Sequence, residues 1–330
     1  MEEALYDPER GFYQKRSPTQ DFYTAPELHP AFGSVLAREI ARRFDVLKEA
    51  GVPGPYSIVE MGSGEGRLAR ASLTALRASA PAWASTTRYV LVERARQALL
   101  DSVVSLSADF ERVIGYSRLE EVLPCAGVFL SNELVDAFPV HLLEKRDGRV
   151  FEVYVEESGR TLLSDLSTDE LRPFAESAAS SLQDGERHSV NLEARRWLAL
   201  ARAKLTAGYL ITIDYGRRMA GAPNPPRSFE RHRVDDEGLT ERAGSKDLTA
   251  SVDFDALIDG GKQEGLELVS FTTLGRFLIE GGIADWLASG DESVESYRSR
   301  AKVKTLIHPD GMGEVFKVLI QRKNPEPTPC

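Results

Sequence analysis

Apolar positions along the chain gather into short β-rich runs separated by longer stretches of helical spacing. The runs are YSIVEMG (56–62), RYVLVE (88–93), ERVIGY (111–116), AGVFLSNE (126–133) and GYLITIDYG (208–216). Alternation of this kind predicts βαβ units and a mainly parallel sheet. Leu68, Leu73 and Leu76 recur at helical spacing, which predicts a helix over 65–79, stopped by Pro81. Between the fourth and fifth runs, 140–206 reads as an antiparallel pair, VHLLEKR then RVFEVYVEE around Asp147-Gly148, followed by two helical stretches. Such an insertion suits a lid or a partner surface. Residues 217–250 are rich in Arg, Pro, Gly and Asp without a sustained period, which predicts a long loop. Order returns with an amphipathic helix over 252–263, the strand LELVSFT, helical segments over 274–307 and the strand GEVFKVLIQRK, before a frayed NPEPTPC. The pattern predicts a Rossmann-like α/β domain over 46–330 with insertions at 140–206 and 217–250.

Composition narrows the partners. Apolar residues make up 42% and charged residues 28% of the 330, the balance of an ordinary globular protein. With 41 basic against 51 acidic residues the formal charge is -10, which repels a polyanion, so nucleic acid is not an expected partner. A basic protein tail would be attracted. Cys125 and Cys330 form no CxxC pair, and His29, His141, His188, His232 and His308 are scattered, so no metal is expected. The acidic start and the lack of an apolar run of about 20 residues lead us to expect a cytoplasmic protein without membrane insertion.

The segment EMGSGEGRL follows the first strand and opens a helix, where an α/β sheet receives its nucleotide. Gly62, Gly64 and Gly66 form GxGxG, whereas the dinucleotide fingerprint GxGxxG needs glycine where Arg67 stands. The Walker lysine is missing as well. Glu60 and Glu65 would oppose a pyrophosphate but suit the ammonium and sulfonium of S-adenosylmethionine. Glu93, ending the second strand, is placed to accept ribose hydroxyls. Three glycines by themselves also fit a plain strand-to-helix turn, and it is their coupling to Glu93 that points to a cofactor.

SNELVDAFPVH puts Asn132, Glu133 and Asp136 at the end of the fourth strand. Methyl transfer is an in-line displacement that asks the protein chiefly to orient the acceptor. A guanidinium stays charged at neutral pH, and paired carboxylates such as Glu133 and Asp136 grip it through bidentate bonds. Asn132 and Asp136 equally fit turn capping. Asp214 and Tyr215 end the fifth strand on the same expected edge, and His232 in the long loop is a candidate base or donor.

In order, LYDPERGFY, DFYTAPELHPAFG, VEMGSGEGRL, LVE, SNELVDAFPVHLL, GYLITIDYG, RHRV, KDLTASVDF, GRFLIEGGI and GMGEVFKVL resemble the MidA family, which includes mitochondrial complex I assembly-factor arginine methyltransferases. The resemblance implies a Rossmann-like, seven-stranded methyltransferase fold with an inserted subdomain, S-adenosyl-L-methionine as cofactor, and arginine on a partner protein, such as a respiratory complex subunit, as acceptor. It assigns Gly62, Gly64, Gly66 and Glu93 to the cofactor, and Asp21, Phe22, Thr24 and Glu27 to a lid within an N-terminal cap segment at 1–45, where composition alone reads a polar loop. Gln20 and Leu274 depart from the family pattern, which has glycine and glutamine there. Two other readings compete: a non-catalytic assembly factor that binds the cofactor, and an NAD-dependent dehydrogenase, against which Glu65 and Arg67 argue.

Overall fold

The computed structural model describes residues 1–7, 11–12, 25–156, 158–219, 221–230, 233–235, 247–288 and 291–325. Numbered along the chain, the strands are β1 (Ser57–Met61), β2 (Arg88–Val92), β3 (Val113–Tyr116), β4 (Cys125–Asn132), β5 (His141–Arg146), β6 (Arg149–Val155), β7 (Thr161–Ser164) and β8 (Arg187–Val190). There follow β9 (Leu205–Arg217), β10 (Arg227–Glu230), β11 (Arg233–Asp235), β12 (Asp247–Thr249), β13 (Val252–Asp253), β14 (Glu267–Thr273) and β15 (Phe316–Lys323). The chain divides into two compact units, one of Tyr23–Leu134, Leu198–Tyr215 and Ile258–Cys330, the other of Met1–Phe22, Val135–Trp197 and Gly216–Leu257.

The first unit is built on a sheet whose seven main strands run in the order β14-β15-β9-β4-β1-β2-β3. β1 pairs in parallel with β2 and β4, and β4 with β9, whereas β15 lies antiparallel between β9 and β14. That last strand distinguishes the sheet from the dinucleotide-binding order, in which the sixth strand simply adds to the edge. Every residue of β1 is buried, as expected of a parallel strand covered on both faces. The helix Ala31–Glu49 lays Phe32, Ile40, Phe44 and Leu47 against Ile58, Leu91, Val128, Leu130 and Ile211, and each such side chain contributes about 1.5–3 kcal/mol by leaving water. The helix predicted from 65 begins at Arg67, because Gly66 before it is left-handed at φ 70°.

In the second unit the antiparallel sheet β7-β6-β5-β8 packs Leu143, Val190 and Leu192 with Leu171. Asp147 and Gly148, at φ 51° and 73°, close the β5–β6 hairpin that the sequence predicts, in the doubly left-handed form suited to two-residue turns. The Lys145 ammonium donates to the carbonyls of Ala179 and Leu182 at the end of the helix Arg172–Ser181, meeting the negative end of its dipole. The long loop expected over 217–250 is in part a sheet, β11-β10-β12. Its strands have three or four residues, too few for an alternating pattern to be seen.

Candidate active site

β1 delivers the chain into a loop whose three glycines are all left-handed, at φ 73° for Gly62, 50° for Gly64 and 70° for Gly66. The loop is pinned from two sides. The Gly62 and Ser63 N–H groups donate to the Val92 carbonyl at 2.9 and 3.2 Å, and the Ser102 hydroxyl donates to the Gly64 carbonyl at 3.1 Å. A Cβ at Gly62 would lie 2.9 Å from Leu134, and one at Gly66 would lie 3.1 Å from the Ser102 Cβ, whereas one at Gly64 would meet nothing within 4 Å. Gly62 and Gly66 therefore serve packing, and Gly64 borders open space. Arg67, at the position that breaks the dinucleotide fingerprint, clasps Glu65 at 2.8 Å and Glu27 at 3.1 Å. Glu27, from the segment expected to act as a lid, thus sits beside the helix that leaves the loop.

Glu93 reaches back over this loop. One carboxylate oxygen accepts the Gly64 N–H at 2.9 Å and the other accepts the Ala95 N–H at 2.8 Å. Each oxygen keeps a second lone pair open to a further donor. Glu60 behaves differently: it is 3% exposed and accepts the Tyr89 hydroxyl at 2.7 Å. Burial pushes its carboxyl up to about 8, with Tyr89 drawing it down and the charge of Glu93 adding to the rise. Burial and the adjacent Glu60 likewise raise the Tyr89 phenol well above its ordinary value.

At the end of β4 the backbone turns sharply. Glu133 is held at φ 53°, a left-handed conformation that costs a non-glycine residue about 1–2 kcal/mol. Its N–H donates to the Ile213 carbonyl at 2.9 Å, and the next N–H, of Leu134, donates to the Asp214 carboxylate at 3.3 Å. Asp214 is fully buried and also accepts the Tyr215 N–H at 2.9 Å, so its carboxylate braces the ends of both strands. Tyr215 stands edge-on to Phe316 at 5.9 Å. The Asn132 amide donates to Glu133 at 3.2 Å. Ser63 Oγ, Ser131 Oγ and Asn132 Oδ1 are buried with no hydrogen-bond partner. Together with the open space at Gly64, these acceptors fit a polar ligand such as S-adenosylmethionine. Asp136 belongs to the other unit, in the short turn Val135–Ala137, where it is 6% exposed and its carbonyl accepts the Ala250 N–H at 2.9 Å.

Asp21, Phe22, Thr24 and His232 lie outside the described residues. Sequence reasoning missed Ser63, Tyr89 and the clasp made by Arg67. Ser63 could have been noticed as a hydroxyl between two loop glycines, but nothing local marks Tyr89, which is 29 residues away from Glu60 along the chain.

Residues 35–272 match a family model described as S-adenosyl-L-methionine-dependent methyltransferase. A Burkholderia thailandensis protein solved with bound S-adenosyl-homocysteine is similar over 99% of this chain and 87% of its own, with a TM-score of 0.83 and 29% identity. The protein named protein arginine methyltransferase NDUFAF7 homolog, mitochondrial, of Drosophila melanogaster is 29% identical over 77% of this chain and 63% of its own length. For the Danio rerio protein arginine methyltransferase NDUFAF7, mitochondrial, the identity is 26%, over 96% of this chain and 81% of that protein. The chain therefore spans less than two thirds of the fly relative. The cytoplasmic location expected above is overturned by these relatives, which are named mitochondrial. That expectation rested on the charge of a few opening residues, and nothing in the packing of a folded domain encodes its address.

Proposed function

The chain belongs to the family of S-adenosyl-L-methionine-dependent methyltransferases, as its likeness to MidA implied, and from that premise we propose that it methylates arginine on a partner protein. The observation that carries the acceptor reading is Glu133, held in a left-handed conformation at the sheet edge that also ends in the glycine loop. Strained backbone persists where the surroundings over-determine it, and it clusters at functional sites.

S-adenosylmethionine, when bound, supplies a methyl group on a positively charged sulfur. The residues of this chain do the rest. Glu93 holds ribose hydroxyls through its second lone pairs, and Gly64 leaves room for the nucleoside. Glu133 would accept N–H bonds from the guanidinium and turn one nitrogen toward the methyl. Asp214 keeps the turn after Glu133 in place through the Leu134 N–H. Carboxylates at this point also draw a cationic side chain in preference to a neutral one.

A respiratory complex subunit is the acceptor to test first. Purified protein, S-adenosylmethionine labelled in its methyl group and candidate subunits should give label that hydrolyses to methylarginine. Label on another residue type would refute the acceptor, and absence of label despite measured cofactor binding would refute the catalytic reading.

A further inference from the structure

We propose that Glu27 is a positioning residue for the cofactor: acting through Arg67, it fixes Glu65 and so the stretch from Gly64 to Gly66 on which the nucleoside rests. The inference rests on the methyl-donor reading above and gives the segment before the first long helix a task in binding, separate from covering the site.

Arg67 opens the helix Arg67–Ser79, and its guanidinium meets two carboxylates at once. Nε and Nη2 donate to the same oxygen of Glu65 at 3.0 and 2.8 Å, and Nε also lies 3.1 Å from Glu27 Oε1. The two acids differ in their surroundings. The side chain of Glu65 is 42% exposed and that of Arg67 52%, and an ion pair so open to water does not by itself hold one geometry. The side chain of Glu27 is 8% exposed. Its carboxylate is therefore a fixed, poorly screened charge that restricts where the guanidinium can sit.

Glu27 is anchored in turn. It lies in the single turn Ala25–Leu28, where Ala25 is fully buried and Leu28 packs against the main core. Two residues on, the ring of His29 ties that turn to the C-terminal helices. Its Nδ1 accepts the Ala31 N–H at 3.1 Å, which leaves Nε2 to carry the proton and donate to the Ser299 hydroxyl, 2.8 Å away in the helix Val294–Ile307. The ring also stands edge-on to Trp286 at 5.0 Å. Val92, Glu93 and Ser102 pin the first part of the glycine loop, from Gly62 to Gly64. The chain of contacts from His29 through Glu27 and Arg67 to Glu65 reaches its second part. A loop that keeps its binding geometry only a fraction of the time loses affinity in proportion to that fraction.

Glu27→Gln keeps the size of the side chain and removes its charge. It is expected to weaken S-adenosylhomocysteine about fivefold by calorimetry and to speed amide hydrogen exchange of the ligand-free loop by a similar factor, while exchange in β1 and β4 stays unchanged. Arg67→Gln should weaken binding at least as far, and Glu27→Gln added to Arg67→Gln should cost nothing more, because Glu27 then has nothing to act through. Multiplied losses in the double variant, unchanged affinity in Glu27→Gln, or faster exchange throughout the sheet would each overturn the assignment, the last by making Glu27 a plain contributor to folding. If the unaltered protein bound no S-adenosylhomocysteine, the methyl-donor reading would fall, whereas an unchanged loop exchange rate in Glu27→Gln would sink this inference alone.

Discussion

Gly64→Ala and Gly66→Ala ask the same thing of the backbone and different things of the surroundings. Both glycines are left-handed, at φ 50° and 70°. The strain on an alanine there is about 1–2 kcal/mol, partly offset by its smaller unfolded-state entropy, for a net loss of about 1 kcal/mol at each site. At Gly66 the new methyl would sit 3.1 Å from the Ser102 Cβ and 3.2 Å from Leu106 Cδ1, within a packed helix contact. Overpacking adds about 1–3 kcal/mol. At Gly64 it would meet no protein atom within 4 Å. The methyl there enters the space assigned to the cofactor, so the penalty moves from folding to binding. Gly64→Ala should lower the melting temperature by only about 2–4 °C, with Gly66→Ala falling roughly two to four times further. S-adenosylhomocysteine affinity should show the reverse order, dropping about tenfold or more for Gly64→Ala and less for Gly66→Ala. Thermal unfolding without ligand and calorimetry below both transitions separate the two effects. Gly64→Ala protein that binds S-adenosylhomocysteine within twofold of the unaltered protein would refute the placement of the cofactor over this glycine.

Other substitutions probe the groups around the loop. Because burial holds the Glu60 carboxyl at about 8 against an ordinary 4.5, the native state keeps a proton that the unfolded chain releases, so this group's contribution lowers stability as pH rises between those values and levels off above. Glu60→Gln should remove that slope and gain on the unaltered protein by a few kcal/mol by pH 8, and parallel denaturant midpoints at pH 5, 6.5 and 8 would show that Glu60 titrates normally. Glu93→Ala strips the Gly64 and Ala95 N–H groups of their charged acceptor, worth about 1.5–3 kcal/mol per bond, and should weaken S-adenosylhomocysteine and methylthioadenosine alike, since both carry the ribose. Loss confined to the first ligand would exclude a ribose contact. Asp214→Ala leaves the Leu134 and Tyr215 N–H groups without their acceptor and should lower the unfolding free energy measured by denaturant titration by about 1–3 kcal/mol per group, more than Asp214→Asn, which keeps one oxygen; equal losses would deny the carboxylate its bracing role.

Much of the fold and part of the site are legible in the sequence because some residue types have few physical uses. The spacing of Gly62, Gly64 and Gly66 after an apolar run marks a strand-to-helix turn with backbone exposed to a ligand, and all three do adopt the left-handed conformations that glycine permits. Asp147-Gly148 between alternating runs marks the hairpin for the same reason. The three short strands within 217–250 were not legible, since pairing rather than periodicity defines them. Nor was the state of the acidic groups. Glu60 and Glu93 look equivalent as letters beside a loop, yet one is buried against Tyr89 and the other accepts from the loop itself.

The sequence by itself determined the strands of the main sheet, the glycine-rich turn after the first of them, the Asp147-Gly148 hairpin and which family the chain resembles, since these follow from local spacing and from residue identity. Only the tertiary structure decided that the last strand lies antiparallel between β9 and β14, that Asp214 braces the turn after Glu133, and that Ser63 and Asn132 hold buried acceptors without partners. Each of these is a relation between segments far apart along the chain. It is set when burial of apolar faces selects strand neighbours, and that choice leaves no mark on any one stretch of sequence.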